Sequence, residues 1–340
     1  MEAKTALTPA PIMDLANAYF DSCVLFASAE LGVFEAVARL GSPTGDALAQ
    51  ALGLNLRGAS LLLDACVAVG LLRKDRDTYT NTEASSAFLV PGQPGDLTRA
   101  IRYNQDIYGA WQHLTQLART GAPVESPKLH LGADPERTRR FVMSMHGRAM
   151  AIGRPVLAML DLRGKKQLLD IGGGPGTYSV LISQANPEIR CTVLDLPEVV
   201  AVARELIIGQ GAADRVETLP GDYHTAELPS GNDVVNFFGC LHQESPDSIR
   251  DLFRRAYKSL RPGGAVYVMD MMTNASHTQP KFSALFAVTM ALTTEHGWVF
   301  SAAELQGWLK EAGFQDFAVR PLPAPLPHWL ASARKPSLDA

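Results

Sequence analysis

The sequence predicts an α/β protein: a doubly wound parallel sheet fills the C-terminal half, after a helical segment that ends in a two-stranded wing. Three observations predict it. From Lys165 onward, short apolar runs alternate with helical stretches. A glycine-rich turn, Gly172–Gly176, joins the first run to the helix after it. Residues 11–100 carry helical spacing and then a polar turn between two short extended pieces.

In chain order, Val24–Ala38 has apolar residues at helical spacing and stops before Gly41 and Pro43. Thr44 is placed to cap a short helix that Gly53 ends, and Asn55 opens a third helix that runs to Gly70. Leu71-Leu72-Arg73, a polar Lys74–Asp77 turn and Thr78-Tyr79-Thr80 form the wing, so residues 11–100 follow the winged-helix plan. Residues 101–160 read as a helical connector with a break at Gly121–Pro127. Tyr108, Trp111, Met143 and His146 lie in it. Such residues at helical spacing suit a plain core, yet their place just before the sheet keeps a ligand-pocket role open. Residues 161–336 supply the strands Gln167–Ile171, Arg190–Leu194, Asp233–Phe237 and Ala265–Met269. The helices Tyr178–Gln184, Glu198–Ile208, Ser245–Leu260 and Ser301–Ala312 lie between or after them.

Charge and composition narrow the function. Residues 1–100 hold seven Lys and Arg against eleven Asp and Glu, so the winged segment repels phosphates and nucleic acid is not an expected partner. Packing or dimerisation is expected instead, with Phe20, Leu25, Phe26, Leu31 and Phe34 available to bury. The whole chain carries −4. Its four cysteines (Cys23, Cys66, Cys191, Cys240) form no CxxC, which predicts reduced thiols, no metal site and a cytoplasmic location. The opening Met-Glu-Ala-Lys lacks the pattern of a signal peptide. The apolar stretches Leu61–Leu72 and Phe282–Leu292 are too short to cross a bilayer, so no membrane is expected.

The richest segment is Leu168-Leu-Asp-Ile-Gly-Gly-Gly-Pro-Gly-Thr-Tyr-Ser179. Glycines there let backbone approach a ligand, since no Cβ intervenes. Asp170, at the strand end, would repel a pyrophosphate but suits a ligand with an ammonium group. Asp195 ends the second strand 25 residues later, where an acid can accept from a ribose diol. Gly221-Asp222-Tyr223 stands where the third strand should end and offers an adenine a carboxylate and a flat ring. Together Asp170, Gly172, Gly173, Gly174, Asp195, Leu196, Gly221, Asp222, Tyr223 and Phe237 describe a site for S-adenosylmethionine, whose product is S-adenosylhomocysteine.

With these residues the sequence resembles the small-molecule O-methyltransferases that include the caffeic-acid and acetylserotonin enzymes and bacterial natural-product enzymes. The likeness runs through Leu-Leu-Asp-Ile-Gly-Gly-Gly-Pro-Gly, Leu194-Asp-Leu-Pro197, Gly-Asp-Tyr223, Leu241-His242, Arg-Pro-Gly-Gly264 and Glu311-Ala-Gly-Phe314. It implies a Rossmann-like methyltransferase sheet and a homodimer built through the N-terminal domain. It also implies a small aromatic or polyketide-like acceptor from secondary metabolism, His242 as general base and Asp270 as the acid that orients it. A phenol's pKa is about 10, so a base near neutral pH helps the oxygen attack the sulfonium methyl. Met290, His296 and Trp298 join the expected acceptor pocket. The chain departs from the family pattern at Gln243, which follows the histidine in place of an acid. Phe238 replaces a lysine, and the second family acid falls near Val299, with Glu295 and His296 close by. Carbon or nitrogen methylation, a relative that binds the donor without transferring its methyl, and a ligand-sensing regulator are the alternative readings.

Overall fold

The computed structural model describes residues 7–126, 132 and 134–337, which divide into two compact units, Met1–Asp106 and Ile107–Ala340. The opening Met-Glu-Ala-Lys and Pro127, the end of the expected break, lie outside the described residues.

The first unit contains α1 (Ala10–Asn17), α2 (Tyr19–Glu30), α3 (Val33–Leu40), α4 (Gly45–Leu52) and α5 (Leu56–Ala68). The hairpin β1 (Leu72–Asp75) and β2 (Thr78–Asn81), α6 (Glu83–Phe88) and the start of α7 (Thr98–Trp111) follow. Thr44 and Asn55 cap α4 and α5, their side-chain oxygens accepting from the N–H of Ala47 at 3.3 Å and of Gly58 at 3.2 Å. One expectation is corrected: Val24–Ala38 is not a single helix. Gly32, at φ 70°, takes the left-handed conformation that ends α2 and starts α3. The break turns Val33, Phe34, Ala36 and Val37 into a core with Leu48, Leu63, Cys66, Leu72 and Tyr79. Phe34 is therefore a core residue, and Leu25 and Phe26 pack against that core, whereas Phe20 and Leu31 stay exposed.

The second unit opens with α8 (Leu114–Thr120) and the long α9 (Pro135–Leu157). Then come β3 (Gln167–Ile171), α10 (Thr177–Ala185), β4 (Arg190–Asp195), α11 (Pro197–Gly209), β5 (Val216–Pro220) and β6 (Asn232–Phe238). A 3-10 turn (Leu241–Gln243) leads to α12 (Pro246–Ser259), β7 (Leu260–Asp270), α13 (Lys281–Thr293), α14 (Ala302–Glu311), β8 (Gln315–Pro321) and β9 (Trp329–Arg334). The strand order is β5-β4-β3-β6-β7-β9-β8. The first five are parallel, as expected. β9 runs antiparallel to β7 and to β8, so the sheet is mixed. β7 begins at Leu260 rather than Ala265, because the Arg-Pro-Gly-Gly264 stretch continues the strand through a register shift opposite Asn232 and Val234.

Strand alternation sorts the core onto two faces. Val235, Phe237, Val266 and Val268 meet Leu252, Phe253, Trp308 and Leu309 of α12 and α14. Phe238, Tyr267 and Met269 share the other face with Ile152, Val156, Val180, Ile182 and Ile207 of α9, α10 and α11. Because β3, β4, β6 and β7 are parallel, their C-terminal ends share one edge of the sheet. That edge carries the glycine turn, Asp195, His242 and Asp270. Among the described residues no single helix is long and apolar enough to cross a membrane.

Candidate active site

The turn after β3 is a cradle built from backbone. Gly172 and Gly174 have φ of 65° and 53°, in the left-handed region that favours glycine. A Cβ on Gly172 would stand 2.9 Å from Cys240 Cβ, and one on Gly173 would stand 2.8 Å from Asp170 Cγ. The face of Gly174 is open, with nothing within 4 Å of the place a Cβ would take. Its N–H donates to Asp195 Oδ2 at 2.7 Å, while the N–H of Leu196 donates to Oδ1 at 2.8 Å. The N–H of Gly221 donates to the Asp195 carbonyl at 2.9 Å, which ties the third loop to the second. Burial pushes the Asp195 carboxyl up to about 6 despite these two donors. Each oxygen keeps a lone pair beyond the bond it makes, as a pair of vicinal hydroxyls requires.

Asp170 lies beneath the turn. Its side chain is fully buried beneath Gly173, and Oδ2 accepts from the Ser179 hydroxyl at 2.7 Å. Burial raises it to about 7, with Ser179 opposing. The acid supports the turn from below: Oδ2 is turned to Ser179 of α10, while Oδ1 is buried with no hydrogen-bond partner among the described residues. Phe237 likewise turns inward: its ring is fully buried against Phe253, so only its backbone reaches the strand end.

The Gly221-Asp222-Tyr223 loop is held by a group the sequence reading did not single out. Glu244, 5% exposed, accepts from the Tyr223 hydroxyl at 2.7 Å, from His224 Nε2 at 2.8 Å and from the Ser248 hydroxyl. His224 Nδ1 meets Asp222 Oδ1 at 2.7 Å. Burial works against charge on His224, yet Glu244 and Asp222 outweigh it and hold the imidazole above its ordinary pKa. The loop thus presents a fixed ring and a fixed carboxylate at the edge of the cradle.

The expected catalytic pair does come together. His242, on the 3-10 turn after β6, donates Nδ1–H to Asp270 Oδ1 at 2.6 Å, and its backbone N–H donates to Oδ2 at 3.2 Å. Asp270, at the end of β7, is fully buried and also accepts from the Met271 N–H at 2.8 Å. With Nδ1 engaged, the lone pair of the neutral imidazole lies on Nε2. The Phe286 ring stands edge-on to His242, with centroids 5.1 Å apart. Where a second acid was expected, Val299 is buried and Glu295 is exposed. Trp298 holds the turn instead: its N–H donates to the His242 carbonyl at 2.9 Å and its Nε1–H to the Glu244 carbonyl at 3.0 Å.

The expected acceptor-pocket residues are placed more variously. Tyr108 and Trp111 are half-buried on α7, and Met290 is buried on α13. Met143 packs with Phe141 against Val142, Val199 and Val202, and His296 is exposed. His146 Nδ1 lies 2.8 Å from the Thr177 hydroxyl, so it flanks the glycine turn. On the same helix Arg148, which the sequence reading passed over, places Nη2 2.8 Å from Nε2 of buried His328. These two stand 180 positions apart, and no local spacing could announce them. Among the described residues no group of three or more His, Cys, Asp or Glu is placed to hold a metal.

Comparison with known proteins sets this geometry among relatives. Residues 123–315 match the O-methyltransferase domain, and residues 13–91 match the O-methyltransferase dimerisation domain. The chain is 32% identical to a 3-hydroxy-5-methyl-1-naphthoate 3-O-methyltransferase of Streptomyces sahachiroi, over 91% of this chain and 90% of that protein. It is also 32% identical to the tetracenomycin polyketide synthesis 8-O-methyl transferase of Streptomyces glaucescens, over 96% and 97%. The crystal structure of human N-acetylserotonin methyltransferase in complex with SAM superposes with a TM-score of 0.88 at 27% identity, covering 99% of this chain and all of that one.

Proposed function

Because the chain belongs to the O-methyltransferase family, we propose that it moves the methyl group of S-adenosylmethionine onto a hydroxyl of a small aromatic or polyketide-type acceptor, with His242 as general base. The observation that carries this reading is the His242–Asp270 pair at 2.6 Å, set on the same sheet edge as the glycine cradle.

When bound, S-adenosylmethionine supplies an electrophilic methyl on a sulfonium centre. The residues present fit such a group. Gly172–Gly174 admit a ligand against bare backbone, and the open face of Gly174 supports that assignment. Asp195 would accept from the ribose hydroxyls, and Tyr223 and Asp222, held by Glu244 and His224, would border the base. Asp270 fixes the tautomer of His242 so that Nε2 can take the proton of the acceptor hydroxyl as the new O–C bond forms. Asp270 also stabilises the imidazolium that results. A placed base of this kind contributes about 10²–10⁴-fold, and alignment of the acceptor by the pocket adds to it.

The same reading includes a homodimer through the dimerisation domain. Exposed Ile12, Met13 and Leu15 of α1, with Phe20 of α2, offer the apolar surface for it. The working division into residues 11–100, 101–160 and 161–336 belongs to this reading too. The test is His242→Ala with calorimetry of S-adenosylhomocysteine alongside. Turnover should drop at least about 100-fold while the ligand binds as before. Turnover within threefold of the parent would remove the base assignment. A product methylated on carbon or nitrogen, located by mass spectrometry and NMR, would overturn oxygen as the target.

A further inference from the structure

The loop after β5 carries a histidine whose two ring nitrogens both face carboxylates. His224 Nδ1 lies 2.7 Å from Asp222 Oδ1, and Nε2 lies 2.8 Å from Glu244 Oε2. An ionised carboxylate only accepts, and a neutral imidazole has one N–H to give. Closing both contacts at once therefore takes an imidazolium. The groups around the ring agree with that. Burial works against charge on Asp222, yet the His224 N–H and ring, with Arg255 nearby, hold its carboxyl below its ordinary pKa. Tyr223, its ring centroid 4.6 Å from that of the imidazole, is pushed well above its ordinary pKa by burial and donates to Glu244 Oε1 at 2.7 Å. The Ser248 hydroxyl donates to Oε2. Arg255 of α12 directs its guanidinium at backbone, to the carbonyls of Tyr223 at 2.6 Å, His224 at 3.1 Å and Ala226.

This bridge stands at the end of the cradle. β3, β4 and β5 are neighbours in the sheet, so the loops at their C-terminal ends lie side by side. The first is the glycine turn, the second carries Asp195, and the third is the loop of Gly221, Asp222, Tyr223 and His224. The Gly221 N–H donates to the Asp195 carbonyl at 2.9 Å, and the Tyr223 ring comes within 3.4 Å of the place a Cβ on Gly172 would take. A nucleoside with its ribose at Asp195 and its tail on the glycine turn extends its base toward this third loop. Both contacts from His224 to Asp222, the ring and the backbone N–H at 2.9 Å, fall on Oδ1. Oδ2 makes no hydrogen bond among the described residues and is left for a ligand. The side chain of Asp222 is 48% exposed and that of Glu244 6%, so the ring ties an open acid to a buried one.

Resting on the methyl-transfer reading above, we propose that His224 is a positioning residue for the purine of S-adenosylmethionine and that it acts only as an imidazolium clasped between Asp222 and Glu244. Loss of its proton sets a nitrogen lone pair against a carboxylate lone pair at one end of the bridge. Whichever end gives way, the tie between Asp222 and Glu244 is cut. Affinity for donor and product therefore falls as pH rises through the His224 midpoint. That midpoint lies above 6.5, since burial opposes the charge but Glu244 and Asp222 outweigh it. By the same linkage a bound nucleoside favours the clasped loop and so favours the proton.

Calorimetry of S-adenosylhomocysteine on the full chain, as a pH series upward from about 6, tests this. Above the level stretch that Asp195 leaves, affinity should fall by about 10- to 100-fold, the range for a charged hydrogen-bonded contact. In an NMR titration S-adenosylhomocysteine should raise the His224 midpoint by the same factor, about one pH unit for each tenfold. His224→Gln identifies the resonance. That variant should bind S-adenosylhomocysteine more weakly at neutral pH, lose the fall at higher pH, and raise the donor KM by a larger factor than it lowers kcat. Affinity that stays flat across the His224 midpoint of the parent overturns the proposal, and that measurement needs no variant. So does a midpoint that the ligand leaves in place, or a fall that persists in His224→Gln. A variant that loses more in kcat than in KM also overturns it, by placing the residue on the chemical step. Failure of the underlying reading looks different: S-adenosylhomocysteine then binds at no pH, or it binds and no acceptor is methylated.

Discussion

Replacing Asp270 by asparagine is the most informative single perturbation, because the side chain has two oxygens and each already has a defined task. Oδ1 accepts from His242 Nδ1–H at 2.6 Å and from the Met271 N–H at 2.8 Å; Oδ2 accepts from the His242 backbone N–H at 3.2 Å. An amide can satisfy one side only. If its oxygen keeps the Oδ1 place, its NH2 faces the backbone N–H of His242, donor against donor. If it flips, the NH2 faces Nδ1 and forces the imidazole into the tautomer with hydrogen on Nε2, where it can accept no proton. In the first case the imidazolium loses its counter-charge, a difference of about 1–2 kcal/mol between charged and neutral hydrogen bonds. In the second the base is lost outright. Asp270→Asn should therefore lower kcat by about 10- to 10⁴-fold. One buried donor left unsatisfied also costs about 1–3 kcal/mol of stability. Single-turnover transfer from methyl-labelled donor reads the chemical step, and calorimetry with S-adenosylhomocysteine shows that the cradle is intact. A variant that keeps kcat within threefold while binding normally would refute the assignment of the pair as base and orienter.

Gly173→Ala and Gly174→Ala should separate stability from binding. The first forces a Cβ to within 2.8 Å of the buried Asp170 carboxyl and should lower the thermal midpoint, at a cost of about 1–3 kcal/mol. The second puts a Cβ into open space at φ 53°, so it should weaken S-adenosylhomocysteine binding more than it lowers the midpoint, and the opposite ranking would contradict the cradle. Asp195 moves from 3.8 up to about 6 on folding, so the folded chain binds more protons there, and its contribution to stability declines as pH rises through that window. Ribose hydroxyls donate best to the ionised form, so S-adenosylhomocysteine affinity should rise with pH up to about 6 and then level; a calorimetric pH series on Asp195→Asn should lose that rise. His224 titrates above its ordinary 6.5, and Glu244→Gln should bring it down in an NMR titration; an unchanged midpoint would mean that Glu244 does not hold the ring. Stability gained from His224 is full below the unfolded pKa and fades as pH climbs through the raised folded one.

What the sequence made legible was whatever depends on contiguous residues. The glycine turn, the end of β4 at Asp195 and the capped starts at Thr44 and Asn55 each follow from a few neighbours along the chain, and the structure has them in place. His242 and Asp270 stand 28 positions apart and were paired by the family resemblance; parallel β6 and β7 bring their ends together. Burial was harder. Asp170 was visible as an acid beside glycines, but its direction depends on the pleat of β3, and the pleat sends it under the turn to Ser179. The hairpin of β8 and β9 reverses the sheet edge because its strands pair with β7 and with each other, and no local pattern fixes that direction. Gly32 is a single residue whose positive φ divides what periodicity alone joined.

The departures from the family pattern acquire a physical account once these contacts are counted together. A base needs its free nitrogen held in place and its other nitrogen paired, and neither need specifies a second acid. Here Asp270 pairs Nδ1, and the backbone of the same turn is gripped on the Asp270 side through the His242 N–H and on the opposite side through the Trp298 N–H. The Trp298 indole extends that grip to Glu244, whose carboxylate in turn carries Tyr223, His224 and Ser248. One short 3-10 turn thus connects the base to the loop expected to border the adenine, with a neutral indole where the relatives' pattern led to an acid. A neutral neighbour leaves the imidazole with Asp270 as its one bonded carboxylate among the described residues.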